Sequence, residues 1–166
     1  MGLRYRIEKS SLIHAPCDTV YNVIADYNQH HGNIIPPHLF GGIEVLKGNG
    51  VGSGTRIACT FRILGQSSTL VMDVSERTGP DGARIIQEID TCARNITQFI
   101  VIPMSSDSCV VTIRTDVMRA IGWMAGALDE FFTKALLNDW YTKELYQLDT
   151  YAMSLRKDKE WCNTCL

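Results

Sequence analysis

From Arg4 to Ile13 apolar and polar residues alternate loosely, with Tyr5, Ile7, Ser11 and Ile13 opposite Arg4, Arg6, Glu8 and Ser10. That period of two predicts a strand. The strand ends at "HAP", after which Val20, Tyr21, Val23 and Ile24 in "CDTVYNVIADY" give a short amphipathic helix, with Pro16 suited to its first turn. The next segment, "NQHHGNIIPPHLFGG", is broken by glycine and proline and leaves room for one more short helical turn. From Ile43 onward the period of two returns in six runs: "IEVLKG", "GTRIACTFRILG", "SSTLVMDVSE", "ARIIQEID", "RNITQFIVIP" and "SCVVTIRTDVM". The spacers between them are short enough only for hairpins, so the runs predict an antiparallel meander. From about Ile121 to Lys159 no proline occurs and the repeat lengthens to between three and four. Leu128, Phe132 and Leu136 mark one row, and Leu137, Tyr141, Leu145, Leu148, Ala152 and Leu155 a longer one, which predicts one long helix.

The stretch "LKGNGVGSGTR", Leu46 to Arg56, has glycine at every second position from 48 to 54. A phosphate cradle must lead into a helix N-terminus, and a P-loop also needs Gly-Lys-Ser/Thr. Here the following residues read as a strand, so the stretch is a hairpin turn in which glycine allows positive φ and close backbone approach.

These elements, taken in order, resemble the polyketide cyclase/dehydrase branch of the START-like (SRPBCC) superfamily. The residues that carry the resemblance are "IHAPCDTVYNVIADY", "VLKGNGVGSGTR" and the helix "LNDWYTKELYQLDTYA". The resemblance implies an α+β helix-grip fold: a seven-stranded curved antiparallel sheet wrapped around a long C-terminal helix, with two short helices after strand 1. It implies a hydrophobic cavity between sheet and helix. Members of that superfamily bind lipids, sterols, hormones or polyketides there, and some cyclise, dehydrate or condense them without a cofactor. Tyr21 stands where tryptophan is common, and "HHGNIIPPH" departs from the pattern.

Length and composition agree with one domain, placed at residues 1–160 with a tail at 161–166. Sixteen basic residues against eighteen acidic ones leave a net charge of −2, without the basic excess of a nucleic-acid binder. No apolar run is long enough to span a membrane, and the N-terminus lacks secretory-signal features, so a cytoplasmic location is expected. Neither the N-terminal "MGLRYR" nor the C-terminal "CNTCL" satisfies a lipidation pattern. The six cysteines are scattered, and the Cys162/Cys165 pair reads as an inert tail. A homodimer is compatible with the sequence.

The face of "TRIACTFRIL" carrying Ile57, Cys59, Phe61 and Ile63 is expected to line the cavity. The same reading puts Leu70, Met72 and Val74, and Thr97, Phe99 and Val101, inside on their strands, mainly as packing. On "RIIQEID" the two faces, Ile85/Gln87/Ile89 and Arg84/Ile86/Glu88/Asp90, are both compatible with an interior. If Glu88 points inward, burial makes it a general acid or base; if outward, it partners Arg84 or Arg94. Arg114, with Thr112 and Asp116, carries the same ambiguity and would steady an enolate or carboxylate if internal. His38 is the histidine expected to contact the substrate; His30 and His31 read as solvent-facing, and His14 lies away from the mouth. The expected site is therefore His38 and Glu88 as proton carriers, with Tyr27, Phe61, Met72, Thr97, Phe99, Arg114 and Tyr141 as substrate contacts. No metal ligand set is recognised, and no cofactor is expected. The expected partner is a hydrophobic small molecule, bound for acid-base chemistry or, alternatively, for carriage or sensing. A subunit-binding module would require an exposed apolar patch.

Overall fold

The computed structural model describes residues 3–63, 65–118 and 129–164. Seven strands run in the order β1 (Tyr5–Ile13), β2 (Phe40–Lys47), β3 (Arg56–Ile63), β4 (Gln66–Thr78), β5 (Arg84–Asp90), β6 (Ile96–Ser105) and β7 (Ser108–Val117). Helix α1 (Cys17–Ala25) and a 3-10 turn (His31–Asn33) lie between β1 and β2, a second 3-10 turn (Pro80–Gly82) joins β4 to β5, and α2 (Asp129–Thr164) follows the sheet. The expected start of the long helix at Ile121, and with it Leu128, falls outside the described residues, as does Cys165.

All seven strands form one antiparallel sheet in the order β1-β7-β6-β5-β4-β3-β2. Consecutive strands from β2 to β7 pair as hairpins, while β1 closes on β7 from the far end of the sequence, Tyr5 opposite Val117 and Ile13 opposite Cys109. The connector holding α1 must therefore carry the chain from one sheet edge to the other. Helix α2 packs against β1 and α1, and Tyr141, Leu145, Leu148 and Ala152 of the longer apolar row are buried against the sheet. In the shorter row Leu136 faces the interior, whereas Phe132 is exposed. This is the helix-grip α+β architecture.

Pro16 sits just ahead of α1 with extended backbone, so the helix starts at Cys17. The helix buries Val20, Tyr21, Val23, Ile24 and Ala25. Fully burying each aliphatic side chain stabilises by about 1.5–3 kcal/mol. Tyr21 packs beneath the Arg84 guanidinium, 3.4 Å from its ring centre, and donates a 2.5 Å hydrogen bond to Glu76 Oε1. Glu76 Oε2 in turn accepts from the backbone N–H of Ser53. The Tyr21 hydroxyl and then the Ser53 N–H hold the Glu76 carboxyl below its ordinary range.

Glu76 thus fastens α1 to the glycine hairpin between β2 and β3. Gly52 N–H donates to Ala25 O, and Tyr27 N–H donates to Gly50 O. Gly50 has φ +79°, and a Cβ there would collide with the Asn28 amide. Replacing Gly50 with alanine is expected to cost about 1–3 kcal/mol, read as a lower urea midpoint with an unchanged slope. An unchanged midpoint would show that the hairpin does not anchor the segment after α1.

Candidate functional site

The loop after α1 is held in place by Asp26. Its Oδ1 accepts the backbone N–H groups of Asn28 and Gln29, and its carbonyl accepts those of His30 and His31. That winds Tyr27 and His31 onto one side, four residues apart, and their rings stack with centres 4.5 Å apart. Phe99 of β6 meets the His31 ring edge-on at 5.5 Å. His31 Nδ1 lies 2.6 Å from Ile24 O, and a carbonyl can only accept, so Nδ1 carries the proton. Nε2 is then the atom left to face Glu88, whose Oε1 is 3.8 Å away.

Glu88 points inward. Its strand buries Ile86, Glu88 and Asp90, because β5 pairs Glu88 with Val74 on one side and Thr97 on the other, both on the concave face. The Tyr27 hydroxyl donates to Glu88 Oε1 at 2.7 Å. Burial first, and then the charge of Glu88, raises the Tyr27 hydroxyl well above its ordinary range, so it stays a donor. Phenylalanine at position 27 removes the donor and leaves a buried carboxylate oxygen short of a partner. The expected loss is about 1–3 kcal/mol, checked by urea denaturation; no loss would mean that the Glu88 oxygen is satisfied another way.

A cavity of about 130 Å³ lies between the sheet and α2. Phe61, Met72, Thr97 and Phe99 line it, with Cys59 and Leu70, as the alternation of their strands implies, and Tyr141 lines it from α2. Tyr27 lies behind Glu88 and reaches the cavity through it. On the wall, Tyr141 Oη and Thr115 Oγ1 are 2.5 Å apart and Thr115 is 2.9 Å from Thr97, a chain of three hydroxyls.

Two expected contacts are elsewhere. His38 is exposed and does not line the cavity: Pro36 O accepts the N–H groups of Leu39 and Phe40, a turn that buries Leu39 and leaves His38 outside. Arg114 is on the convex face, where it donates to Glu8 at 2.5 Å. The inward positions of β7 are Cys109, Val111, Ile113, Thr115 and Val117, so residue 114 has the opposite parity. His31, expected in solvent, is only 4% exposed. His14 does lie away from the cavity, beside Asp149.

One residue was missed altogether. Glu144 of α2 is 4% exposed and lines the cavity opposite the sheet. Burial, followed by the charge of Glu88, pushes its carboxyl up to about 8. The signal was present: position 144 falls three after Tyr141 and four before Leu148, inside the apolar row. Trp140, one turn earlier, packs edge-on to Phe61 at 4.7 Å and has a buried indole N–H without a hydrogen bond of normal geometry. Among the described residues no group of three or more His, Cys, Asp or Glu side chains is arranged to hold a metal ion.

A seven-stranded sheet closed by a long helix over a mainly apolar cavity defines the chain as a helix-grip protein of START-like fold. It is similar in structure to the KanY protein (TM-score 0.72, 23% identity, 92% of this chain and 99% of that one). It is also similar to a START superfamily protein from Mycobacterium smegmatis (0.66, 16%, 90% and 98%) and to the Zhui aromatase/cyclase from a Streptomyces species (0.65, 18%, 90% and 93%). No family model matches the sequence, and no curated protein matches it. No helix among the described residues is long and apolar enough to cross a membrane.

Proposed function

We propose that this protein binds a hydrophobic small molecule in the cavity and moves protons on it with its own side chains, in a cyclisation, dehydration or isomerisation. The observation that carries this reading is the pair of buried carboxyl groups facing one apolar cavity from opposite sides, in different surroundings. Glu88 accepts from Tyr27 and faces His31 Nε2. Glu144 is held protonated near neutral pH by burial. One buried carboxyl that accepts a hydrogen bond and another held protonated suit the roles of base and acid. In this mechanism Glu88, with His31 beside it on the cavity lining, takes a proton from the bound molecule, Glu144 gives one, and the apolar walls exclude water and hold the chain folded.

Structural similarity to an aromatase/cyclase supports the class of chemistry. A carrier would use the same cavity, but nothing in carriage requires two buried acids at its centre, where each costs stability. The test is native mass spectrometry of protein purified from its host extract, followed by incubation with the released molecule and its unsaturated or open-chain precursors. Conversion by the protein, and not by a Glu88→Gln variant, is the expected result. Molecules returned unchanged from every precursor would establish the carrier instead.

A further inference from the structure

The polar inventory of the cavity is one-sided. Glu88 and Glu144 both face it, and among the described lining residues there is no lysine or arginine. Asp90 also borders the cavity, but its Oδ1 is committed to the N–H groups of Cys92 and Ala93. The basic side chain on the described lining is His31, whose Nε2 is 3.8 Å from Glu88 Oε1; among the described residues outside it, Arg84 pairs with Asp18, and Lys134, 5.2 Å from the ring centre of Tyr5, pairs with Glu130. Glu144 is almost fully buried, with the Trp140 indole N–H turned toward its carboxyl, and no lysine or arginine pairs with it among the described residues. Around the two acids stand aromatic faces and edges from Phe61, Phe99, Trp140 and Tyr141.

A buried carboxylate is satisfied either by a proton or by a cation, and aromatic rings favour the second by their quadrupoles. An anionic ligand would meet two carboxyl groups with no lysine or arginine on the described lining to offset them, whereas an ammonium group would supply up to three donors to acceptors on both. We infer that the ligand of this cavity is a cationic amphiphile, an amine whose charged nitrogen sits between Glu88 and Glu144 and whose apolar body lies along Phe61 and Met72. This inference rests on the proposed ligand-binding reading and narrows it to one charge class.

Binding of this kind has a proton signature. The groups facing Glu144 are Glu88 on β5, Cys59 on β3, Tyr27 after α1 and Trp140 and Tyr141 on its own helix, with His31 lining the cavity beside Glu88. Burial raises Cys59, Tyr27 and Tyr141 and keeps them protonated through neutral pH. Near pH 7 Glu144 is the proton that an entering ammonium expels, so affinity for an amine rises as pH approaches 8.

The test uses three probes of one ring size: 1-naphthylmethylamine, 1-naphthylmethanol and 1-naphthoate. Titration calorimetry at pH 7, in two buffers of different ionisation enthalpy, measures affinity and protons released. The expected order is amine, then alcohol, then acid, with the amine at least tenfold ahead of the acid, proton release only for the amine, and tighter amine binding at pH 8. Glu144→Gln and Glu88→Gln should each cut the amine-to-alcohol affinity ratio at least fivefold. Alcohol or acid binding as tightly as the amine overturns the inference and leaves the cavity reading standing. An amine preference that survives both substitutions overturns it too, since the charge would then be read elsewhere. Absence of binding by all three probes overturns the inference and the ligand-binding reading together.

Discussion

Replacing Glu144 with glutamine stabilises the protein, and does so more at pH 8 than at pH 5. In the folded chain the Glu144 carboxyl keeps its proton up to about 8, against 4.5 in its ordinary environment. Between those values the native state binds a proton that the unfolded state has released, so stability falls as pH rises. The stabilising contribution is whole below 4.5 and gone above 8. Integrated over that window the loss is on the order of 3–5 kcal/mol. Glutamine is a neutral isostere and removes this dependence. Urea denaturation of both proteins at pH 5, 6.5 and 8 should show curves that diverge with pH and run level above 8. Parallel curves would mean that Glu144 is solvated or paired in the folded protein.

Glu88→Gln should separate folding from chemistry. The amide oxygen still accepts the Tyr27 hydroxyl, so the wall of the cavity stays built. The amide cannot take a proton, and under the proposed mechanism turnover of the bound molecule falls by about 10²–10⁴-fold while the protein remains folded. The measurement is the rate of conversion of the recovered substrate by variant and parent, with circular dichroism as the control. A variant that turns over at the parental rate removes Glu88 as the base.

The two carboxyls differ in how visible they are in the sequence. The hairpins and the long helix can be read from period and punctuation because each residue reports on its neighbours along the chain. The faces of β5 cannot, because isoleucine occupies both: Ile85 and Ile89 on one side, Ile86 on the other. What turns Glu88 inward is pairing with Val74 and Thr97, a property of partner strands. The faces of β7 were open for the same reason, and Arg114 proved to be outside. Among the histidines, His38 drew attention through its proline and aromatic neighbours. The informative spacing was that of Tyr27 and His31, four apart in a helical turn, which put one ring on the other. Glu144 is hidden in the sequence because an apolar row is defined by its apolar members, and an acid inside the row interrupts nothing in the periodicity.

The pairing of β1 with β7 also imposes an order in time. Arg6 and Asp116, joined by a bidentate ion pair in the finished protein, are 110 residues apart in the chain. At a synthesis rate of about 5–20 residues per second, the first strand leaves the ribosome several seconds before its only sheet neighbour exists. Through that interval its edge is unpaired, and the hairpins from β2 to β6 can close without it. The two alternating charges on its outer face, Arg6 and Glu8, which later meet Asp116 and Arg114, are of the kind that disfavours pairing of a waiting strand with the wrong edge.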